Sequence, residues 1–309
     1  MPWYILSLLS AAATSSASFV EKNALVTMRS LAFSLRVSYL VAAASIPIVL
    51  LTDLSSFGPR EYAITLVVAT LGSIAYVNVT HGIRRLDVGE SAPLLLLSPA
   101  LTAVLAYIVL NEQLGRLDIA GMLIIIGGAY MLQAGSGGLR GIFRKLSEES
   151  GLRYIAQGII LYAVTAVLDR VMLGEIGVSP IAYLAISQLF IPVVMTTHAI
   201  TTGKRHHVRA ALSFPKTCHN ANDAGVCDTE RNASIKEWLG TAYVMIATIA
   251  NRFFFMQAAA IAPIGPVTAL RRTSALFSAL FDGGEGKPRV RRITACVVML
   301  SGVILLALR

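Results

Sequence analysis

Residues 92–132 read APLLLLSPALTAVLAYIVLNEQLGRLDIAGMLIIIGGAYML. This stretch contains most of two long apolar runs, 91–110 and 118–134, which flank a short polar connector. A helix that crosses roughly 30 Å of hydrocarbon needs about 17–25 largely apolar residues, because lipid offers no partner to an unpaired backbone group. Both runs therefore predict transmembrane helices.

The whole chain of 309 residues has the composition of a membrane protein. Residues of the AVILMFWYC set make up 55% of it and charged residues only 14%, whereas a soluble domain carries about 25% charged residues. The first apolar run lacks preceding basic residues, which favours a span over a removed signal peptide. We therefore predict an all-α membrane protein of ten transmembrane helices, at about 3–20, 33–51, 62–80, 91–110, 118–134, 154–173, 179–200, 238–260, 263–282 and 293–308.

The two halves of the chain repeat each other. An acidic residue followed by a basic one closes the first span at Glu21 and the sixth at Asp169, an offset of 148 residues. Ser98 parallels Ser274 at an offset of 176 residues, and the extra length lies in a hydrophilic insertion at about 201–237. Five spans in each half is an odd number, which forces the halves into opposite orientations, so we predict an inverted repeat.

The repeat also predicts the domain organisation. The first five-helix half covers 1–134, a basic linker covers 135–153, and the second half covers 154–309. Connectors on one side of the predicted membrane carry 18 Lys and Arg residues against 3 on the other. Because basic connectors stay in the cytoplasm, this count predicts that both termini lie outside.

The formal net charge of the chain is +9, and we expect the lipid bilayer to be the partner of this charge. Basic residues are spread over short connectors and form no continuous face, which favours anionic lipid headgroups and argues against nucleic acid.

The end of the first half resembles an EamA domain of the drug/metabolite transporter superfamily. It shares with that family a Pro-bearing span, an acidic residue after that span and a Gly-containing last span, here at Pro99, Glu112 and Gly127. The second half carries a weaker copy at 273–285 and 301–306. The resemblance implies ten helices, a central cavity lined by the third, fourth, eighth and ninth spans, and alternating access without ATP. Relatives usually have cytoplasmic termini, so the side of the termini stays open.

Arg271 and Arg272 are the most informative polar residues, since they lie midway along the ninth span. Each Arg at such a depth costs about 2.5–3.5 kcal/mol and persists where it faces a cavity or a partner. Guanidinium groups match carboxylate and phosphate in bidentate geometry, so the pair predicts an anion site. A structural ion pair with Glu21, Glu90 or Asp169 is the alternative.

Further polar residues inside predicted spans complete the expected substrate site. They are Arg252, Asn251, Gln257, Asn78 and Ser98. The aromatic residues 253–255 could hold an apolar part of a substrate, although packing against lipid is the more ordinary role.

Two adjacent pairs of opposite charge at span ends are candidates for gating or proton coupling. They are Glu21 with Lys22, and Asp169 with Arg170. A position at the membrane interface is the favoured alternative for both pairs. Glu112 closes the fourth span, where we expect a solvated interface position.

Neither a metal nor a cofactor is predicted. The insertion holds three His residues with Cys218 and Cys227, but Cys-x8-Cys is no usual structural zinc spacing. The residues around Lys287 lack the P-loop spacing, and no hydrolase or metalloprotease motif occurs, so we do not expect an enzyme.

Together these observations predict a secondary transporter for a small polar or anionic metabolite, located in the plasma membrane as a multi-pass protein. A membrane scaffold or lipid-handling protein without a soluble substrate is the alternative. Whether the protein forms a homodimer stays open.

Overall fold

The computed structural model describes residues 1–24, 30–55, 57–83, 97–133, 150–212, 224–274 and 289–308. These residues contain eleven α-helices and no strand. The helices are α1 (Trp3–Ala24), α2 (Ser30–Leu51), α3 (Pro59–Ile83), α4 (Ser98–Leu110), α5 (Arg116–Gln133), α6 (Ser150–Arg170), α7 (Pro180–Thr201), α8 (Arg205–Leu212), α9 (Ala224–Ile261), α10 (Ile264–Arg271) and α11 (Arg289–Ala307). A π-helical turn, Val171–Glu175, continues α6.

Every helix except the short α8 coincides with a predicted span, so the predicted all-α membrane fold is confirmed. Within the described part of the chain, five helices are long and apolar enough to cross a bilayer. These stretches are Leu31–Leu51, Pro59–Val79, Gly151–Glu175, Pro180–Thr201 and Trp238–Ile261. The boundaries proposed for the two halves and the linker remain predictions.

The helices pack in pairs that follow a two-fold pattern. Helix α1 lies along α9, and α6 lies along α3 in the same manner. The contact of α4 with α6 likewise has a counterpart in the contact of α10 with α1. The contact of α3 with α7 has its counterpart in the contact of α9 with α2. Further large contacts join equivalent helices of the two halves, namely α2 with α7, α4 with α10 and α5 with α11. This is the packing that two related five-helix halves produce.

Glycines bring the last helices of the two halves together. A Cβ at Gly128 would lie 2.6 Å from Cγ of Met299, and one at Gly302 would lie 2.8 Å from Cγ1 of Ile125. Close backbone approach through small residues is a common way for membrane helices to pack without a hydrophobic driving force. Gly127 has nothing within 4 Å of its Cβ position, so only one member of the Gly127-Gly128 pair serves this contact.

The predicted eighth span is the later part of a longer helix, because α9 begins within the hydrophilic insertion at Ala224. Before it, α8 is held against α2 by Arg36, which is 5% exposed. Arg36 donates from Nε to the carbonyl oxygen of Ala211 at 3.2 Å and from Nη2 to that of Ala210 at 3.1 Å. Its guanidinium also lies 5.1 Å from the ring centroid of Trp238. An arginine that interrupts an apolar span therefore caps the carboxyl end of α8.

Candidate functional site

Three arginines lie together inside the helix bundle. Arg252 belongs to α9, while Arg271 and Arg272 lie at the end of α10. Both neighbouring guanidinium groups interact electrostatically with that of Arg271. All three residues remain partly exposed. Like charges repel strongly where the surroundings are less polar than water, so a cluster of this kind favours a negatively charged partner.

Arg271 is oriented by two residues of α9. Its Nη2 donates to Oδ1 of Asn251 at 3.4 Å, and its guanidinium lies 4.4 Å from the ring centroid of Phe255. Oδ1 of Asn251 also accepts a hydrogen bond of 2.7 Å from the hydroxyl of Ser10 in α1. Because Oδ1 of Asn251 accepts both of these hydrogen bonds, its amide nitrogen is the side-chain group that remains available as a donor.

Arg272 turns towards α4 instead. Its Nη2 donates to the hydroxyl of Ser98, the first residue of that helix, which is 6% exposed. Consecutive residues of a helix are about 100° apart. This geometry explains why Arg271 contacts α9 whereas Arg272 contacts α4.

Among the described residues, the carboxylate of Asp169 lies beside the cluster. Asp169 of α6 is 3% exposed and accepts a hydrogen bond of 2.5 Å from the hydroxyl of Tyr183 in α7. It interacts electrostatically with Arg252 and Arg271. Asp169 therefore belongs to the arginine cluster as well as to the end of α6.

Tyr162 of α6 is a further neighbour, since it interacts electrostatically with all three arginines. Neither Tyr162 nor Tyr183 is among the residues predicted from the sequence. The available signal is chemical, because a tyrosine inside an apolar run needs a polar partner for its hydroxyl when it is buried.

A second polar network joins helix ends of both halves. Nε of Arg170 donates to Oε1 of Glu112 at 2.7 Å, and its Nη1 donates to the carbonyl oxygens of Ala259 and Ala260 at 2.8 and 2.9 Å. Oε2 of Glu112 accepts a hydrogen bond of 3.1 Å from the backbone amide of Ile264. The Glu112 side chain is 11% exposed, so it does not occupy the solvated position expected from the sequence.

The first half of the chain is similar to a known protein family. Residues 1–133 match the model of the EamA-like transporter family. This match confirms, for residues 1–133, the resemblance seen in the sequence. Members of the EamA family are transporters and not enzymes.

Solved structures extend the similarity beyond residues 1–133. A chain whose structure is titled "Crystal structure of protein" superposes with a TM-score of 0.70 at 15% sequence identity. The match covers 99% of this chain and 96% of that chain. At this identity the similarity establishes the fold alone. No curated protein matches the sequence.

Two predicted site residues lie apart from the arginine contacts. Helix geometry places Gln257 about 120–140° around α9 from Asn251 and Arg252. Asn78 lies on α3, and both residues are partly exposed. In the part of the chain that the structure describes, no hydrogen bond joins either side chain to the cluster.

Other predicted positions lie outside the described residues. They are the side chains of Glu21 and Lys22, together with Glu90, Cys218 and the linker 135–149. Among the described residues, no group of three or more His, Cys, Asp or Glu side chains could hold a metal ion.

Proposed function

We propose that the protein is a secondary carrier that moves a small polar or anionic metabolite across the plasma membrane by alternating access. The observation that carries the proposal is the cluster of Arg252, Arg271 and Arg272 within an EamA-type helix bundle. Guanidinium groups bind carboxylate and phosphate oxygens through paired N–H donors. Their partial exposure inside the bundle supports a hydrated chamber around them. Among the candidates, an anion is the substrate that this chemistry favours.

The scaffold alternative requires an acidic partner for each arginine. In the described residues, Asp169 is the carboxylate that interacts with Arg252 and Arg271, whereas Arg272 donates its hydrogen bond to the neutral hydroxyl of Ser98. Among these described residues the positive charges outnumber the carboxylates, which supports the carrier proposal over the scaffold.

Alternating access requires contacts that break and reform at the ends of the bundle. The network of Arg170 and Glu112 meets this requirement, since it joins the end of α4 in the EamA domain to α9 and α10 in the second half. We assign it the role of a gate that is closed in the observed state. An ion pair of charged side chains can exchange its partners for water when the end opens.

Uptake into liposomes tests the proposal. A thermal-shift screen of metabolites against purified protein identifies a ligand, because binding raises apparent stability by mass action. Uptake of that labelled ligand by wild-type protein should saturate, while Arg271→Ala and Arg272→Ala should lose it by roughly a hundredfold, as expected for loss of about 3 kcal/mol of binding. Arg116→Ala, at an exposed position, is the matched control. Wild-type uptake by both folded variants would refute the anion role.

A further inference from the structure

We propose that the arginine cluster takes a doubly charged oxyanion, which presents either two carboxylates or one phosphoryl or sulfuryl group. The inference rests on the proposed function and names the substrate class of the same site. Its basis is the balance of charge among Arg252, Arg271, Arg272 and Asp169.

The cluster carries two positive charges in excess. The guanidinium groups of Arg252 and Arg272 both interact electrostatically with that of Arg271. All three also interact with the phenol of Tyr162. Among the described residues, Asp169 is the carboxylate that acts on them. Its own position is held by Tyr183, whose hydroxyl donates to Oδ1 at 2.5 Å. One negative charge therefore faces three positive charges.

The surroundings make this excess energetically important. Interaction between charges grows as the effective dielectric constant falls below that of water, and these groups lie among the helices of a membrane bundle. A monoanion would leave one positive charge without a counterpart, whereas a dianion balances both. Affinity should therefore depend on ligand charge more steeply than on ligand size.

The donor geometry suits the oxygen atoms of one phosphoryl or sulfuryl group or of two carboxylates. Each guanidinium offers five N–H donors in a rigid fork. Within the described residues, Arg271 uses one donor on Asn251 and Arg272 uses one on Ser98. Because Phe255 covers a face of the Arg271 guanidinium, the N–H groups at the edge of that guanidinium donate any further hydrogen bonds. Free edges on neighbouring side chains can bind a phosphoryl group together or two carboxylates separately.

Pairs of probes that differ by one charge test the inference. Succinate and its monoamide succinamate form one pair, and phenyl phosphate and its methyl ester form the other. Thermal shift of the purified full-length protein at pH 8 measures binding of each compound. We expect the dianion of at least one pair to give the same shift at a concentration roughly tenfold lower or less than its monoanionic partner, since one added charge contact is worth about 1.5 kcal/mol or more. The pair that responds distinguishes the dicarboxylate from the phosphoryl source.

The outcomes separate this inference from the proposed function. If monoanions bind as tightly as dianions, the charge rule is wrong and the carrier proposal stands. If no anion of either charge binds, both proposals fail.

Two substitutions change the charge in opposite directions. Arg272→Gln removes one positive charge and should reduce the preference for the dianion by roughly tenfold. Asp169→Asn removes the negative charge and should retain or increase that preference. If the preference for the dianion changed in the same direction in both variants, the measurement would report damage to the fold and not charge. That result would overturn the inference.

Discussion

The guanidinium of Arg170 and the carboxylate of Glu112 meet at 2.7 Å between Nε and Oε1, and each of them also caps a helix. Arg170 binds the carbonyl oxygens of Ala259 and Ala260 at the end of α9, and Glu112 binds the first amide of α10. Positive charge at a helix carboxyl end and negative charge at an amino end both complement the helix dipole. One ion pair therefore stabilises the turn between α9 and α10 and joins it to the end of α4.

Neutralising the acid should weaken this network. We expect Glu112→Gln to lower the free energy of unfolding by about 1–3 kcal/mol, because hydrogen bonds to charged groups contribute about 1.5–3 kcal/mol each. Denaturation of the purified protein in detergent measures the change. Glu175→Gln removes the same charge from an exposed position of the adjacent π-helical turn and should have almost no effect. Equal losses in both variants would contradict the assignment.

Gly174 offers a second way to disturb the same contact. A Cβ there would lie 2.5 Å from Nη1 and 2.7 Å from Cζ of Arg170, so the guanidinium must shift from the position in which it contacts Glu112. We expect Gly174→Ala to resemble Glu112→Gln in stability. Since both act on one network, the double variant should lose less than the sum of the single losses. Additive losses would show that the two positions act independently.

The contact between α5 and α11 makes opposite predictions for two adjacent glycines. We expect Gly128→Ala to destabilise the protein by about 1–3 kcal/mol, because its methyl group would overlap Met299 in a packed interface. Gly127→Ala adds the same group where nothing lies within 4 Å. It should be neutral or stabilise the helix by up to about 1 kcal/mol. Thermal unfolding of the two variants measures the difference. Equal melting temperatures for Gly128→Ala and Gly127→Ala would contradict this packing.

Arg36 should control the order of α8. Replacing Arg36 with Met removes the donors that bind the carbonyls of Ala210 and Ala211. We expect amide hydrogen exchange in α8 to become roughly tenfold faster, which corresponds to about 1.4 kcal/mol of lost local stability. Arg209→Met, at an exposed position of α8, is the control and should exchange as the wild type does. Unchanged exchange in the Arg36 variant would exclude the capping role.

The positions of the helices could be predicted from apolar runs because the bilayer imposes both their length and their composition. Their ends were less predictable at α9, since polar residues from Ala224 onwards continue the helix beyond the apolar run. A hydropathy pattern records where the hydrocarbon ends, whereas the helix ends where its backbone hydrogen bonds end.

The site was predictable in its residue types and less so in its partners. Arginines inside apolar spans attract attention because their insertion is costly, and Arg271 and Arg272 do lie together with Arg252. The partner of Arg170 is 58 residues away in the chain, and no local pattern indicates it. Asp169 and Arg170 form no pair with each other, because consecutive helical residues point about 100° apart.

Reaction of a thiol at position 252 with a charged reagent tests the central claim most directly. Cys218, Cys227 and Cys296 are first replaced with Ser, and Arg252→Cys is then compared with Val297→Cys, an apolar position of α11 that is 60% exposed. A hydrated chamber admits the anionic, membrane-impermeant reagent methanethiosulfonate ethylsulfonate, whereas lipid around position 297 excludes it. We predict rapid modification at position 252, slowed by the transported anion, and little at position 297. Modification at position 252 that is no faster than at position 297 would contradict a water-filled anion site within the bundle.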